Sequence, residues 1–136
     1  MKSNASAVWQ GTGKEGSGKI NATSGVLKDA PYSYTSRFVG LPGTNPEELI
    51  AAAHAGCFSM KCAFLFTAAG FTPDKLETNC EVTLDNGVVT GSHLTLTGSI
   101  KNISKEEFSK IADEASKTCP ISKLLNTKIT LDATLA

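Results

Sequence analysis

Two cysteines, Cys57 and Cys119, are the residues of this sequence best suited to carry a reaction. Cys57 lies within a long apolar stretch, and Cys119 opens the tetrapeptide Cys-Pro-Ile-Ser. A thiol packed in a core behaves as a small, inert hydrophobe, whereas a partly exposed thiol beside a cation ionises to a nucleophilic thiolate. The function of the chain therefore depends on which of these two states Cys57 adopts.

Reduction of a peroxide is one reaction that two such thiols can perform. A thiolate attacks a hydroperoxide to give an alcohol and a sulfenic acid, and a second thiol condenses with that acid to form a disulfide. A cation must lie near the first thiol, and Arg37 is the candidate because a guanidinium stays charged and offers a fork of donors. A carboxylate can fix the guanidinium, and Glu47 is available for this. The candidate catalytic residues are therefore Cys57, Cys119, Arg37 and Glu47.

Two other functions fit the same residues. Cys57 could act as the nucleophile of a thiol hydrolase with His54, three residues away, as its base. Alternatively, Cys57 is a packed core thiol, and an apolar groove binds a hydrophobic ligand without catalysis.

Metal binding is not favoured by the spacing of the cysteines and histidines. Cys57 and Cys62 lie about 140° apart around a helix, and His54 with Cys57 supplies only two ligands. A zinc site needs three or four ligands, so we expect neither a metal nor another cofactor.

Length and charge restrict the class of protein. The 136 residues fit one domain spanning 1–136, and 13 basic residues balance 13 acidic ones. This balance argues against nucleic acid or an anionic membrane surface as a partner. Residues 50–71 are long enough to span a membrane, but Lys61 near the middle costs roughly 2.5–3.5 kcal/mol on insertion. A buried helix fits better. The first residues lack a signal-peptide pattern, so we expect a cytoplasmic protein with reduced cysteines.

The patterning of the chain predicts which elements position these residues. Short strands are expected at 7–10, 20–24 and 34–39, separated by turn glycines. A helix should begin with Asn45 as its N-cap and Pro46 at its first position, and should end at Gly70. Glu48 then falls where a capping-box carboxylate belongs, which leaves Glu47 without a structural task. The apolar face of this helix should carry Ala53, Cys57, Met60 and Phe64.

The second half of the chain predicts further strands and helices. Strands at 79–84 and 93–100 should be joined by a hairpin turn at Asn86-Gly87. A helix at 105–117, one more turn at 121–125 and a last strand at 128–135 should follow. The order βββ-α-ββ-α-β indicates an α+β fold in which antiparallel strands pack on a central buried helix.

Residues 44–60 closely resemble the central helix of the OsmC/Ohr family of thiol-dependent peroxidases. The Ser36-Arg37-Phe38 segment is placed as in the osmotically inducible branch of that family. The likeness covers nearly the whole chain. It includes Ser24-Gly25-Val26-Leu27, Ala69-Gly70-Phe71-Thr72-Pro73, Cys119-Pro120-Ile121-Ser122 and Ile129-Thr130-Leu131-Asp132.

The resemblance implies an active site and a partner. Cys57 would be the peroxidatic cysteine, Cys119 the resolving cysteine that forms a disulfide with it, and Arg37 with Glu47 the active-site pair. Proteins of this family are intertwined homodimers that reduce organic hydroperoxides, and dithiols of lipoyl type reduce them back to the thiol form. This chain also contains Cys62 and Cys80 beyond the usual pattern, and either thiol could compete with Cys119.

Helix geometry adds a constraint on the active site. Glu47 and Cys57 are ten residues apart, about 15 Å along the axis of a continuous helix. They cannot share one site within a single chain. We therefore expect a composite site at a two-fold interface, with Glu47 supplied by a partner subunit, unless the helix breaks.

The apolar residues near the candidate site predict a substrate preference. An alkyl chain gains about 0.8 kcal/mol per buried CH₂, so an apolar site favours alkyl hydroperoxides over hydrogen peroxide. The residues expected to form these surroundings are Phe38, Phe58, Met60 and Leu65.

Overall fold

The computed structural model describes residues 1–40 and 42–136 of the chain. These residues form two compact units, Met1–Leu49 and Ile50–Ala136, and each contains a three-stranded sheet. The assignment of the chain to a single domain stays a prediction.

The first unit contains an antiparallel sheet with the strand order β1-β2-β3. Its strands are β1 (Ala5–Gln10), β2 (Ser17–Ala22) and β3 (Ala30–Ser33). The predicted turn glycines are confirmed between β1 and β2, where Gly11 has a φ of 94° and a Cβ on Gly16 would collide with backbone carbonyl oxygens.

A short helix, α1 (Tyr34–Phe38), follows β3, so the strand predicted at 34–39 is wrong. Ser33 and Ser36 explain the difference because they form a reciprocal capping box. The Ser33 hydroxyl accepts a hydrogen bond from Ser36 N at 3.1 Å, and the Ser36 hydroxyl accepts one from Ser33 N at 2.8 Å. These bonds satisfy amide groups of the first turn and start a helix where the aromatic and β-branched residues alone favour a strand.

Helix α2 (Pro46–Ala68) begins and ends close to the predicted positions. Asn45 Oδ1 accepts a hydrogen bond from Glu48 N at 2.8 Å, as an N-cap does. The carboxylate of Glu48 lies 3.4 Å from the Thr44 hydroxyl. Gly70, with a φ of 93°, follows the helix and allows the chain to turn away.

The buried face of α2 differs from the predicted face. Its buried residues are His54, Phe58, Cys62 and Phe66, whereas Met60 and Phe64 are 64% and 67% exposed. Because small and apolar residues surround almost the whole helix, sequence periodicity does not determine which side packs. By length and composition α2 could also cross a membrane, but the core helix of a soluble protein passes the same test.

The second unit contains a mixed sheet with the order β4-β5-β6. Strands β4 (Pro73–Asp85) and β5 (Val88–Ile100) form the predicted hairpin, and Asn86 and Gly87 both have positive φ. The last strand, β6 (Lys128–Leu135), pairs parallel with β5, which differs from the antiparallel pairing we predicted. Parallel strands need a crossover, and α3 (Lys105–Thr118) with α4 (Pro120–Leu124) provides it.

The core of the second unit lies between α2, α3 and the sheet. The rings of Phe66 and Phe108 stack with centroids 5.3 Å apart. Gly98 makes room for this stack, since a Cβ at that position would collide with Phe108. The buried apolar residues of this unit form one cluster. Besides Phe66 and Phe108, the cluster contains Phe58, Cys62, Leu94, Leu96, Ile100, Ile111, Ala112, Ala115 and Cys119. The helices and sheets together confirm the predicted α+β class.

Candidate active site

Arg37 and Glu47 form a direct ion pair in the first unit. Arg37 Nη2 lies 2.6 Å from Glu47 Oε1, and Arg37 Nε lies 3.2 Å from both carboxylate oxygens. The side chain of Arg37 is 37% exposed and that of Glu47 is 12% exposed. The structure thus brings together two of the four predicted site residues.

The segment that joins α1 to α2 holds this pair in place. Ser36 is buried, and its hydroxyl lies 2.9 Å from the carbonyl oxygen of Thr44. The amide of Thr44 donates to the carbonyl of Pro31 at 2.9 Å. These bonds fix the last turn of α1 beside the first turn of α2, so that Arg37 lies opposite Glu47.

Each member of the pair stabilises the charge of the other. Burial raises the pKa of the Glu47 carboxyl, but the hydrogen bond from Arg37, the Glu47 backbone N–H and the Arg37 charge outweigh it and hold the pKa below its ordinary value. The hydrogen bond to Glu47 raises the pKa of Arg37. The Arg37 guanidinium also lies 5.1 Å from the ring centroid of Phe38.

Cys57 and Cys119 contact each other in the second unit. Cys57 is half-buried on α2, and Cys119 is fully buried between α3 and α4. The Cys57 thiol lies close enough to the Cys119 thiol and to the backbone N–H of Ile121 for both groups to affect its pKa. The fold therefore brings together two thiols that lie 62 residues apart in the sequence.

Local backbone chemistry fixes the position of Cys119. Its N–H donates to the carbonyl of Ala115 at 3.0 Å and ends α3, and Pro120 prevents the helix from continuing. The Cys119 sulfur then accepts a hydrogen bond from Ser122 N at 3.3 Å as the N-cap of α4. The Cys-Pro-x-Ser sequence thus stops one helix, starts the next and aims the sulfur toward α2.

The surroundings of Cys57 in this unit do not by themselves favour a thiolate. Burial raises the pKa of the Cys57 thiol, and so do the hydrogen bond to Cys119 and its charge. The N–H of Ile121 and the charge of Lys61 act in the opposite direction but do not outweigh burial. An anionic Cys57 at neutral pH therefore requires a further cation.

An open groove of about 390 Å³ lies against Cys57. Met60 and Phe64 form its apolar part and are both exposed, while Lys61 gives it one charge. The other lining residues are Gly56 and Pro120. Of the apolar residues predicted near the thiol, Met60 lines the groove. Phe58 belongs to the core, Leu65 packs against it, and Phe38 lies in the first unit.

His54 is buried, and its hydrogen bonds do not suit it to act as a base for Cys57. Its Nδ1 lies 2.6 Å from the hydroxyl of Ser92, and its Nε2 lies 2.7 Å from the hydroxyl of Ser122. Both ring nitrogens are therefore occupied, and the hydrolase alternative loses its base. Within residues 1–40 and 42–136, no group of three or more His, Cys, Asp or Glu side chains could hold a metal ion.

The two additional cysteines are in different environments. Cys62 is fully buried, and burial, followed by the charge of Cys119, raises the pKa of its thiol to about 12. Cys80 is half-buried, and its sulfur lies 3.2 Å from the Ser92 hydroxyl. Burial raises the pKa of the Cys80 thiol, although this hydrogen bond lowers it. Neither thiol is activated by its surroundings.

Four further residues belong to this region but were not predicted from the sequence: Lys61, Phe64, Ser92 and Ser122. Lys61 follows Cys57 by four residues on the same helix, so helical spacing could have identified it. Ser122 follows Cys119 by three residues at a helix start, which is a capping spacing. No local signal links Ser92 to His54, because the two residues lie on different elements.

The sheets, the central helix and the neighbouring thiols define an α+β protein in which two cysteine side chains lie close together. Residues 39–134 match the family model described as OsmC-like protein, and the chain belongs to this family. The resemblance drawn from residues 44–60 is therefore confirmed.

Similar proteins support the same assignment. The Escherichia coli K12 protein named Peroxiredoxin OsmC is 42% identical over 130 residues, which cover 93% of this chain and 91% of that protein. The organic hydroperoxide resistance protein of Xanthomonas axonopodis pv. citri is 33% identical over 106 residues, which cover 71% and 70%.

Solved structures show the same fold. An OsmC-like protein from Mycoplasma pneumoniae superposes with a TM-score of 0.77 at 18% identity, covering 100% of this chain and 98% of that one. The organic hydroperoxide resistance protein OhrB of Bacillus subtilis gives a TM-score of 0.65 at 24% identity, covering 98% of both chains.

Proposed function

We propose that this protein is a thiol-dependent peroxidase that reduces organic hydroperoxides to alcohols. The observation that carries this function is the proximity of the thiols of Cys57 and Cys119, through which Cys119 raises the pKa of Cys57. The relatives named peroxiredoxin and organic hydroperoxide resistance protein support it.

The cycle assigns one role to each thiol. The Cys57 thiolate attacks the outer oxygen of the hydroperoxide. The O–O bond breaks, the alcohol leaves, and Cys57 becomes a sulfenic acid. Cys119 attacks that sulfur, releases water and forms a disulfide. A dithiol of lipoyl type then reduces the disulfide by thiol–disulfide exchange. The half-buried position of Cys57 leaves its sulfur accessible to substrate, while buried Cys119 is protected from direct oxidation.

Arg37 supplies the cation that Cys57 needs, and Glu47 holds it. Helix α2 is unbroken from Pro46 to Ala68, so Glu47 and Cys57 of one chain are about 15 Å apart along its axis. Because Arg37 is paired with Glu47, we assign both to the site of the other subunit in a homodimer, where two copies of α2 run antiparallel. Each of the two active sites would then contain thiols from one subunit and an ion pair from the other.

The groove against Cys57 selects the substrate. Met60 and Phe64 offer apolar surface to an alkyl or aryl group of a hydroperoxide, with its O–O group directed at the sulfur. Hydrogen peroxide has no such group and gains nothing from this surface. The balanced charge of the chain fits a small uncharged substrate and argues against a nucleic-acid or anionic-membrane partner. We assign the protein to the cytoplasm, where its cysteines would stay reduced.

Mass spectrometry after one equivalent of cumene hydroperoxide tests this function. We expect a single bridge between Cys57 and Cys119 and one equivalent of alcohol. C57S should consume no hydroperoxide, and C119S should reduce one equivalent and then stop as a sulfenic acid. C80S is the matched control and should turn over like the native protein. A bridge that excludes Cys57, or repeated turnover by C119S with a dithiol, would contradict the assignment.

A further inference from the structure

A chain of hydrogen bonds crosses the interior of the second unit and ends at the sulfur of Cys119. His54 lies at its centre and has no exposed surface. The Nε2 of His54 lies 2.7 Å from Ser122 Oγ, and the same hydroxyl lies 3.1 Å from Cys119 Sγ. The imidazole thus reaches the second thiol through a single hydroxyl group.

The other nitrogen of His54 sets the direction of these bonds. Nδ1 lies 2.6 Å from Ser92 Oγ, and Ser92 Oγ lies 3.2 Å from Cys80 Sγ. A neutral imidazole has one N–H donor and one acceptor nitrogen. When Nδ1–H donates to Ser92, Nε2 accepts from the Ser122 hydroxyl, whose oxygen can in turn accept the S–H of Cys119. All of these polar groups are then satisfied.

We propose that Ser122 and His54 accept the proton of Cys119 while this thiol attacks the sulfenic acid of Cys57. Ser122 touches the reacting sulfur and is the catalytic residue of this step. His54 acts through Ser122 and is a positioning residue. The inference rests on the proposed peroxidase cycle and assigns a step within it.

The step is balanced without an added oxidant or reductant. The S–S bond forms as the S–O bond of the sulfenic acid breaks, so the Cys119 sulfur is oxidised and the Cys57 sulfur is reduced. The Cys119 proton passes to the Ser122 oxygen, whose own proton passes to His54 Nε2. The departing hydroxide takes up one proton, His54 returns to its neutral form, and the products are a disulfide and water.

Burial makes this route useful. Cys119 has no exposed surface, so water cannot readily take its proton. Burial also lowers the pKa of His54, which favours the neutral imidazole that can accept a proton. A neutral base held one hydroxyl from a buried thiol is an arrangement for general-base catalysis.

A second route for the proton must be separated from this one. Ser122 also lines an open cavity of about 540 Å³ on the side of α3 and β6. Titratable and charged groups face the network from several elements. They are Cys57 and Cys62 on α2, Cys80 on β4, Asp113 and Lys117 on α3, and Asp132 on β6.

Time-resolved oxidation by one equivalent of cumene hydroperoxide tests the proposal. Trapping with dimedone measures the Cys57 sulfenic acid, and intact-mass analysis measures the disulfide. S122A and H54N should form the sulfenic acid within twofold of the native rate but form the disulfide about 10²-fold more slowly. S116A is the matched control, since Ser116 is equally buried at 7% exposure and lies outside the network.

A pH profile separates proton transfer from a structural effect. The native rate of disulfide formation should change little between pH 7 and 8, because neutral His54 accepts the proton. In H54N the rate should rise about tenfold per pH unit, since the thiol must ionise in advance. Should H54N fail to fold, S92A takes its place and should slow disulfide formation several-fold.

Three results would overturn the inference. The first is a native rate of disulfide formation in S122A. The second is slow disulfide formation in S122A together with a native rate in H54N or S92A. The third is slow disulfide formation in H54N at a rate that does not change with pH. The second result would indicate that the Cys119 proton passes from Ser122 to water in the open cavity instead of to His54. Failure of the proposed function looks different, because the native protein would then form no sulfenic acid at Cys57.

Discussion

The guanidinium of Arg37 and the carboxylate of Glu47 are joined through both Nη2 and Nε, with a shortest contact of 2.6 Å. The pair connects the end of α1 to the first turn of α2. Glu47 is largely buried, and this orients the guanidinium even though Arg37 itself is 37% exposed. An arginine on a loose surface segment would not present its charge at a fixed place.

Replacing Glu47 should therefore impair catalysis more than stability. In E47Q, Arg37 keeps its charge but loses the anionic partner that orients it. We expect kcat/KM for cumene hydroperoxide to fall about tenfold or more, while the unfolding free energy falls by only about 1 kcal/mol. Steady-state kinetics and urea unfolding measure the two effects. E48Q changes the same charge one residue later and should leave kcat/KM within twofold. Equal losses in both variants would refute a specific role for Glu47.

Lys61 should accelerate the first step through its charge. It lies one turn after Cys57, and its charge lowers the pKa of that thiol. K61Q should slow sulfenic acid formation about threefold at pH 7, as expected for a partly screened charge. The deficit should vanish at high pH, where Cys57 is ionised in both proteins. K110Q on the exposed side of α3 is the control, and a deficit that persists at all pH values would count against this explanation.

Phe64 should determine the preference for organic substrates. Its side chain is 67% exposed and lines the groove beside Cys57. F64A should lower kcat/KM for cumene hydroperoxide about tenfold by removing apolar contact worth about 1.4 kcal/mol, and should leave the value for hydrogen peroxide unchanged. V88A removes a comparably exposed apolar side chain elsewhere in the unit and serves as the control. Equal losses for both substrates would exclude a role in selectivity.

Cys62 should take no part in the redox cycle, and its contribution to stability should depend on pH only under alkaline conditions. Because its pKa in the folded protein is about 12 against an ordinary value of 9.0, it stabilises the fold fully below pH 9. This contribution is lost as pH rises from about 9 to 12, since the unfolded chain ionises first. Urea unfolding from pH 8 to 10.5 should show a steeper decline for the native protein than for C62A.

Alkylation gives a direct check on the same residue. Iodoacetamide at pH 7.5 should modify Cys57 and leave Cys62 intact in the folded protein, because Cys62 is inaccessible and protonated. Modification of both at similar rates would show that Cys62 competes with Cys119 after all.

Local chemical signals predicted the starts and turns of the fold. Asn45 caps α2, and the Asn86-Gly87 pair turns the hairpin. Each depends on a few neighbouring residues whose hydrogen bonds or positive φ can be read from residue types. Cys57, Cys119, Arg37 and Glu47 were selected because their side chains can supply two thiols, a cation and a carboxylate, and because the family resemblance implies the same residues.

Features that depend on distant residues could not be predicted. The prediction of a strand at 34–39 was wrong because Ser33 and Ser36 cap a helix there. Ser36 also donates a hydrogen bond to the carbonyl of Thr44. The predicted buried face of α2 was wrong because the helix is apolar on nearly every side. The partners of His54 come from residues 38 and 68 positions later, so only the folded chain brings them together.

The parallel pairing of β6 with β5 has a consequence for biosynthesis. Residue 119 lies in the crossover between these strands, so the pairing of β6 with β5 fixes the two ends of the segment that carries it. Cys57 leaves the ribosome much earlier, without its partner sulfur. A nascent or truncated chain that ends before Lys128 would therefore carry an accessible thiol that cannot be rescued from oxidation by disulfide closure.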